Sequence, residues 1–182
     1  MDGILFETVR LYVRKLSLSD AKLLFKYSQE DITKKELPDE VYENINEISE
    51  AIKFFMTNYE YEYNHVYPLI FGIILKKNNI LIGHIGLIEI DKGIEIGYAI
   101  ATEYQNNGYA TEVINPFLNW AKINNKIGKI YGIAKKDNIS SWKILEKNGF
   151  ELEEEGIYKN YFNGEYIVKI YSIKLLMAGS AH

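Results

Sequence analysis

The chain has 182 residues, 47% of them hydrophobic and 25% charged, with a net charge of -4, which suits one soluble domain burying roughly 70% of the surface its unfolded form exposes. It contains no cysteine, so disulfides, thiolate metal sites and an acyl-cysteine enzyme are excluded. The longest apolar run, residues 69–75, is far short of the ~18 residues of a membrane span, and residues 1–7 lack the basic flank, apolar stretch and cleavage site of a secretory signal, so a cytoplasmic protein with no membrane partner is expected.

Residues 8–15 alternate Val9, Leu11 and Val13 with Arg10, Tyr12 and Arg14, the period-two pattern of a half-buried edge strand. Ser17 to Asp20 supply capping residues before Ala21, Leu24, Phe25 and Tyr27, which recur at helical spacing. Pro38 closes a polar stretch, and Ile45, Ile48, Ile52, Phe55 and Met56 form a second helical stripe expected in the core. Residues 69–76, 79–90 and 94–100 are β-branched runs separated by segments of hairpin-turn length, which predicts three antiparallel strands. A helix is expected over 109–125, although Pro116 removes a donor inside it. Residues 129–134 read as a short strand, 140–148 as a short helix between Asn138 and Gly149, and 150–158 and 166–175 as closing strands. No repeat or linker interrupts the series, so one mixed α/β domain over residues 1–176 is expected, with its sheet covered at least partly on both faces and a tail over 177–182.

Of the three histidines, His182 lies in that tail, and His65 and His84 have no metal-ligand spacing, so no metal site is expected. The 21 basic residues include only two arginines, Arg10 and Arg14, and there is no basic surplus of the kind a nucleic-acid reader carries. The charge is unevenly distributed: residues 30–62 hold ten acidic residues against Lys34, Lys35 and Lys53, whereas 122–147 hold seven lysines against Asp137 and Glu146. The lysine segment favours a polyanion and the acidic one an amine.

The stretch from Ile94 to Thr111 runs strand, loop, helix start. Its loop glycine, followed by the free amides and positive dipole end of a helix, makes an anion site suited to a pyrophosphate. Neither a P-loop nor a dinucleotide-binding glycine pattern occurs. On the strand before the loop, Glu95, Gly97 and Ala99 share one face, a carboxylate beside two residues too small to fill a groove.

Gln105-Asn106-Asn107-Gly108-Tyr109-Ala110 resembles the Q/R-x-x-G-x-G/A motif of the GNAT acetyltransferases, and the segment from Asn138 through Ser141 to Gly149-Phe150 resembles that superfamily's N-x-x-S/A…G-F segment. The resemblance covers most of residues 8–176 and is nearest to the RimJ and RimL branch, with spermidine and drug acetyltransferases close by. It implies a predominantly antiparallel twisted sheet flanked by helices, and acetyl-CoA as cosubstrate. The pyrophosphate would lie on the amides of Asn107, Gly108, Tyr109, Ala110 and Thr111 after Gln105, and the pantetheine would pair with the strand backbone at Tyr98, Ile100 and Ala101. Asn138 would hold the pantetheine or cap the short helix, and Lys143 would assist the phosphates.

The implied reaction is direct attack of a primary amine on the thioester in a ternary complex, the amine being a protein N-terminus, a polyamine or another small cation. Glu95 is expected to act as general base and a backbone N–H near Ile100 to stabilise the oxyanion. Many relatives carry a tyrosine as acid where this chain has Leu145; Ser141, with Tyr158 and Tyr161 as alternatives, is expected to replace it. Leu145 also motivates the alternative of a non-catalytic acyl-CoA sensor or partner-binding domain of the same fold. Asp39, Glu40 and Glu43 are expected near the acceptor mouth, and an exposed closing strand offers a place for a second copy to pair as a homodimer.

Overall fold

A computed structural model describes residues 3–61, 66–160 and 164–175; His65, Tyr161 and the tail lie outside the described residues. Its strands form one eight-stranded sheet in the order β1-β2-β3-β4-β5-β6-β8-β7. β1 (Ile4–Glu7), β2 (Leu11–Lys15), β3 (Leu69–Leu75), β4 (Ile80–Ile90) and β5 (Gly93–Ile100) follow one another antiparallel. β6 (Lys129–Lys135) runs parallel to β5, and β8 (Gly164–Lys174) lies between β6 and β7 (Glu151–Asn160). This is the mixed, mostly antiparallel sheet that was expected, with one correction at its margin. Residues 8–15 do not make the edge strand: β2 starts at Leu11 and is covered by β1. Val9, 90% exposed, lies in the bend between them, so the alternation holds only for Leu11 and Val13, both fully buried.

Among the described residues five α-helices cover the two faces. α1 (Ala21–Ser28), α2 (Asp31–Glu36) and α3 (Ile45–Tyr59) belong to one side, where Leu24, Ile48 and Ile52 pack with Ile74 and Leu81. Asn44 caps α3, its Oδ1 accepting the N–H groups of Asn46 at 3.0 Å and Glu47 at 3.1 Å. The buried arc of α3 is narrower than the predicted stripe, since Ile45 and Met56 are 44% and 40% exposed. α2 escapes the sequence reading because it buries no apolar residue and so carries no apolar period.

α4 (Tyr109–Asn125) and α5 (Ile139–Lys147) cover the other face. Pro116 does not end α4, whose Val113, Ile114, Phe117 and Ala121 are fully buried; that apolar contact outweighs the one missing donor. α5 lies close against β6 because Gly132 has no side chain: a Cβ there would meet Leu145 Cδ2 at 2.7 Å. Among the described residues no helix is long and apolar enough to cross a membrane.

Candidate active site

The parallel seam is the structural break from which the site is built. β5 and β6 register at one pair only, Glu95 with Tyr131, so toward Ile100 the edge of β5 is not laddered to β6. The Ala101 N–H donates to the Ile82 carbonyl at 2.9 Å, on the β4 side. By strand alternation the N–H groups of Tyr98 and Ile100 face the open side. Ala101 departs from the expectation: its N–H is committed to Ile82 and its carbonyl accepts from Tyr104 at 2.8 Å, leaving no pairing edge for a ligand.

Gly108 N-caps α4 at φ +76, a left-handed conformation natural to glycine, and the first-turn amides, Tyr109, Ala110 and Thr111 among them, have no acceptor within the helix. The loop before it is braced by its own side chains. Gln105 Nε2 donates to the Ile100 carbonyl at 2.8 Å, and Asn107 Nδ2 donates to the carbonyls of Tyr104 and Gln105 at 3.1 and 2.9 Å. Gln105 and Asn107 therefore shape the turn with their side chains. Asn138 likewise caps α5, its Oδ1 accepting the Ser141 N–H at 3.2 Å.

Glu95 lies on the opposite face of β5 from Ile94 and Ile96, lining a cavity of about 540 Å³ together with Gly83, His84, Ala99 and Ile133. Burial pushes its carboxyl up to about 7, against a hydrogen bond from the Ile133 backbone N–H that favours the charged form. The carboxylate thus takes a β6 donor and is poised to titrate near neutrality.

Residues 33–42 roof this cavity, with Glu36, Asp39 and Glu40 in its lining. Glu40 Oε2 pairs with His84 Nε2 at 2.9 Å. Burial pulls the imidazole pKa down and Glu40 more than reverses it, so His84 is raised from its ordinary value. Glu43 lies outside the lining; its backbone N–H donates to Glu47. The acidic segment therefore reaches the Glu95 cavity through Asp39 and Glu40 but not Glu43.

Ser141 is on the α5 side of the break. The Tyr98 hydroxyl donates to the Ser141 carbonyl at 3.0 Å and lies 3.3 Å from its Oγ, and burial pushes the Tyr98 phenol up to about 12. Lys143 is exposed, its Nζ 5.8 Å from the Trp142 ring centre. Leu145 is a core residue over Gly132 and offers no proton. Tyr158 lines the Glu95 cavity.

The sequence profile of the acetyltransferase (GNAT) domain matches residues 10–151. The chain belongs to the GNAT acetyltransferases. It is 31% identical over 178 residues, 93% of this chain and 96% of the other, to the uncharacterized N-acetyltransferase YoaA of Bacillus subtilis. Its fold superimposes on the ribosomal-protein-S5-alanine acetyltransferase of Vibrio fischeri with a TM-score of 0.77, at 20% identity and covering 95% and 97% of the two chains. It superimposes on the spermidine N-acetyltransferase of Vibrio cholerae, solved with CoA and spermine, with a TM-score of 0.74, at 24% identity and covering 91% and 95%.

The sequence reading of this GNAT enzyme misses one residue at the loop, Arg10. From the β1–β2 bend its Nε donates to Glu112 Oε2 at 2.6 Å and its Nη1 to the Asn107 carbonyl at 2.9 Å, while the guanidinium stacks 4.5 Å above the Tyr109 ring. Glu112 also accepts from the Thr8 hydroxyl at 2.6 Å and the Arg10 N–H at 2.9 Å. The alternation of residues 8–15 shows Arg10 only as a polar position, since its partners lie 97 and 102 residues away.

Proposed function

We propose that this enzyme transfers the acetyl group of acetyl-CoA to a primary amine, preferably a cation, by direct attack in a ternary complex. The observation that carries the reading is Glu95: a buried carboxylate titrating at about 7, between the open edge of β5 and an acid-lined cavity. The chain's residues fit the cosubstrate. The α4 amides behind Gly108 suit a pyrophosphate, and the Tyr98 backbone groups on the unladdered edge suit an amide of a pantetheine arm, while the Ile100 carbonyl is taken by Gln105.

Acetyl-CoA, when bound, supplies the thioester carbonyl. Glu95, ionised, takes a proton from the incoming ammonium, directly or through a water, because only the free amine is nucleophilic. The Ile100 N–H, on the open side, is the donor assigned to the carbonyl oxygen as charge develops there. Ser141 Oγ, linked to Tyr98, is assigned to return a proton to the leaving sulfur; Tyr158, on the cavity wall, is the alternative.

The test is CoA release in a thioester-cleavage assay with simple amines, polyamines and peptides, combined with calorimetric titration of acetyl-CoA. Absence of both release and binding ends the reading. Arg10 gives a sharper check on the loop. Arg10, its charge paired with Glu112, braces the loop through the Asn107 carbonyl, and Arg10→Ala is expected to weaken CoA binding about 10-fold by calorimetry, with Arg10→Lys recovering only part because the fork to Glu112 and Asn107 is lost.

A further inference from the structure

We infer that the acceptor is a monoamine whose single ammonium meets Glu95 and whose apolar body lies on a floor of isoleucine beside it. The inference rests on the acetyl-transfer reading above and narrows its substrate class. Ile88 is the cross-strand partner of Glu95 in the β4–β5 register, so the two side chains stand on one face of the sheet with their Cβ atoms about 5 Å apart. The next pair on that face is Gly86 with Gly97, and isoleucines cover the space these glycines leave. A Cβ on Gly97 would meet Ile88 Cδ1 at 3.3 Å, and one on Gly86 would meet Ile70 Cδ1 at 2.5 Å. Ile70, Ile88 and Phe55 of α3 line the Glu95 cavity and are only half-buried, so each has apolar surface left to cover. Ile88 belongs to neither buried apolar cluster of the described residues. An apolar side chain held at a cavity floor and taken up by no core is a surface for the carbon skeleton of a ligand.

The carboxylates of the lining leave a place for one ammonium. Glu36 is paired with Lys35 at 2.8 Å and Glu40 with His84 at 2.9 Å. Asp39 and Glu89 are exposed, so they draw a cation toward the cavity from solvent. Glu95 stands on the floor, with the Ile133 N–H as donor and Ile88 beside it. A second ammonium would give up its hydration against Ile70, Ile88 and Phe55, which return no hydrogen bond, whereas methylene groups gain by leaving water there. The roof is tied down at several points. Glu30 Oε2 accepts the Thr102 N–H at 2.9 Å and its hydroxyl at 2.5 Å, and Glu40 reaches His84. A tethered roof over about 540 Å³ suits a small molecule rather than a folded protein's terminus. The balance is that of acetyl transfer: one C–N bond forms and one C–S bond breaks. Of the two protons the ammonium loses, one reaches solvent through Glu95, and the other is matched by the proton that ends on the CoA sulfur.

An alkylamine series tests this: ethylamine, propylamine, butylamine and pentylamine, which differ little in basicity, with 1,5-diaminopentane as the doubly charged counterpart of the last, each with saturating acetyl-CoA. For the wild-type enzyme kcat/KM is expected to rise about 3- to 4-fold per methylene, through KM. The diamine is expected to lie at least about 10-fold below pentylamine. In Ile88→Asn, which puts a polar side chain of similar size on the floor, the rise is expected to shrink to less than about 2-fold per methylene. Ile88→Val, one methylene shorter, is expected to fall between and carries the same comparison if the amide variant does not fold. A flat series, a diamine that matches or outruns pentylamine, or an unchanged rise in the variants overturns the apolar floor and leaves acetyl transfer standing. No CoA release with any amine and no acetyl-CoA binding overturns both.

Discussion

Glu95→Gln is expected to lower kcat by about 10²- to 10⁴-fold, the range of a positioned general base. With its carboxyl at about 7, wild-type kcat rises with pH up to about 7 and levels above it, because the ionised form takes the proton. The variant is expected to lose that limb. An unchanged kcat, or a limb near pH 7 that survives the substitution, moves proton removal to another group.

The same group predicts an opposite effect on stability. Glu95 binds its proton more tightly folded than unfolded, so its favourable contribution is fully present below about pH 4.5 and is lost as pH rises through about 7. The difference corresponds to about 3 kcal/mol at about 1.4 kcal/mol per tenfold step. Glu95→Gln, which carries no charge to bury, is therefore expected to melt roughly 6–12 °C above wild type at pH 8 and at the same temperature at pH 4. Thermal melts at the two pH values measure this directly. An equal difference at both would mean the side chain acts through packing instead of ionisation.

Phe117→Ala is expected to destabilise the fold by about 3–5 kcal/mol, the cost of a large cavity where an aromatic ring has been removed. Phe117 is fully buried in α4. It stacks on Trp120 at 5.5 Å between ring centres, meets Phe71 of β3 edge-on at 6.1 Å and lies 6.4 Å from Phe6 of β1. This aromatic cluster fixes α4 against the sheet, and α4 carries the loop at its N-terminus. Denaturant unfolding of the variant measures the loss, and Phe117→Leu, which keeps most of the volume, is expected to lose less. A loss below about 1 kcal/mol for Phe117→Ala would place the anchoring of α4 elsewhere.

The legible parts of the chain were those with strong local period or special turn chemistry. β3, β4 and β5 announced themselves by β-branched runs between short polar turns, and α4 and α5 by a glycine or asparagine at the start and apolar spacing after it. The facing of Glu95 away from Ile94 and Ile96 follows from strand alternation alone. β1 and α2 were not legible. β1 is too short for a period to show, and α2 buries no apolar residue. The alternation of residues 8–15 reads as an edge strand although β1 pairs beside β2, because a pattern of alternate burial says which face is covered, not whether a further strand pairs alongside.

Sequence by itself determined the family, through two motifs, and the element order and the carboxylate on β5, because each is a property of neighbouring residues. Tertiary structure decided what those residues meet. That β5 and β6 part beyond Glu95, that the roof of residues 33–42 brings Glu36 and Glu40 over the same cavity, and that Arg10 braces a loop 97 residues away all depend on chain closure over long separations. Burial, which raises Glu95 to about 7, exists only once those distant segments have come together and excluded water.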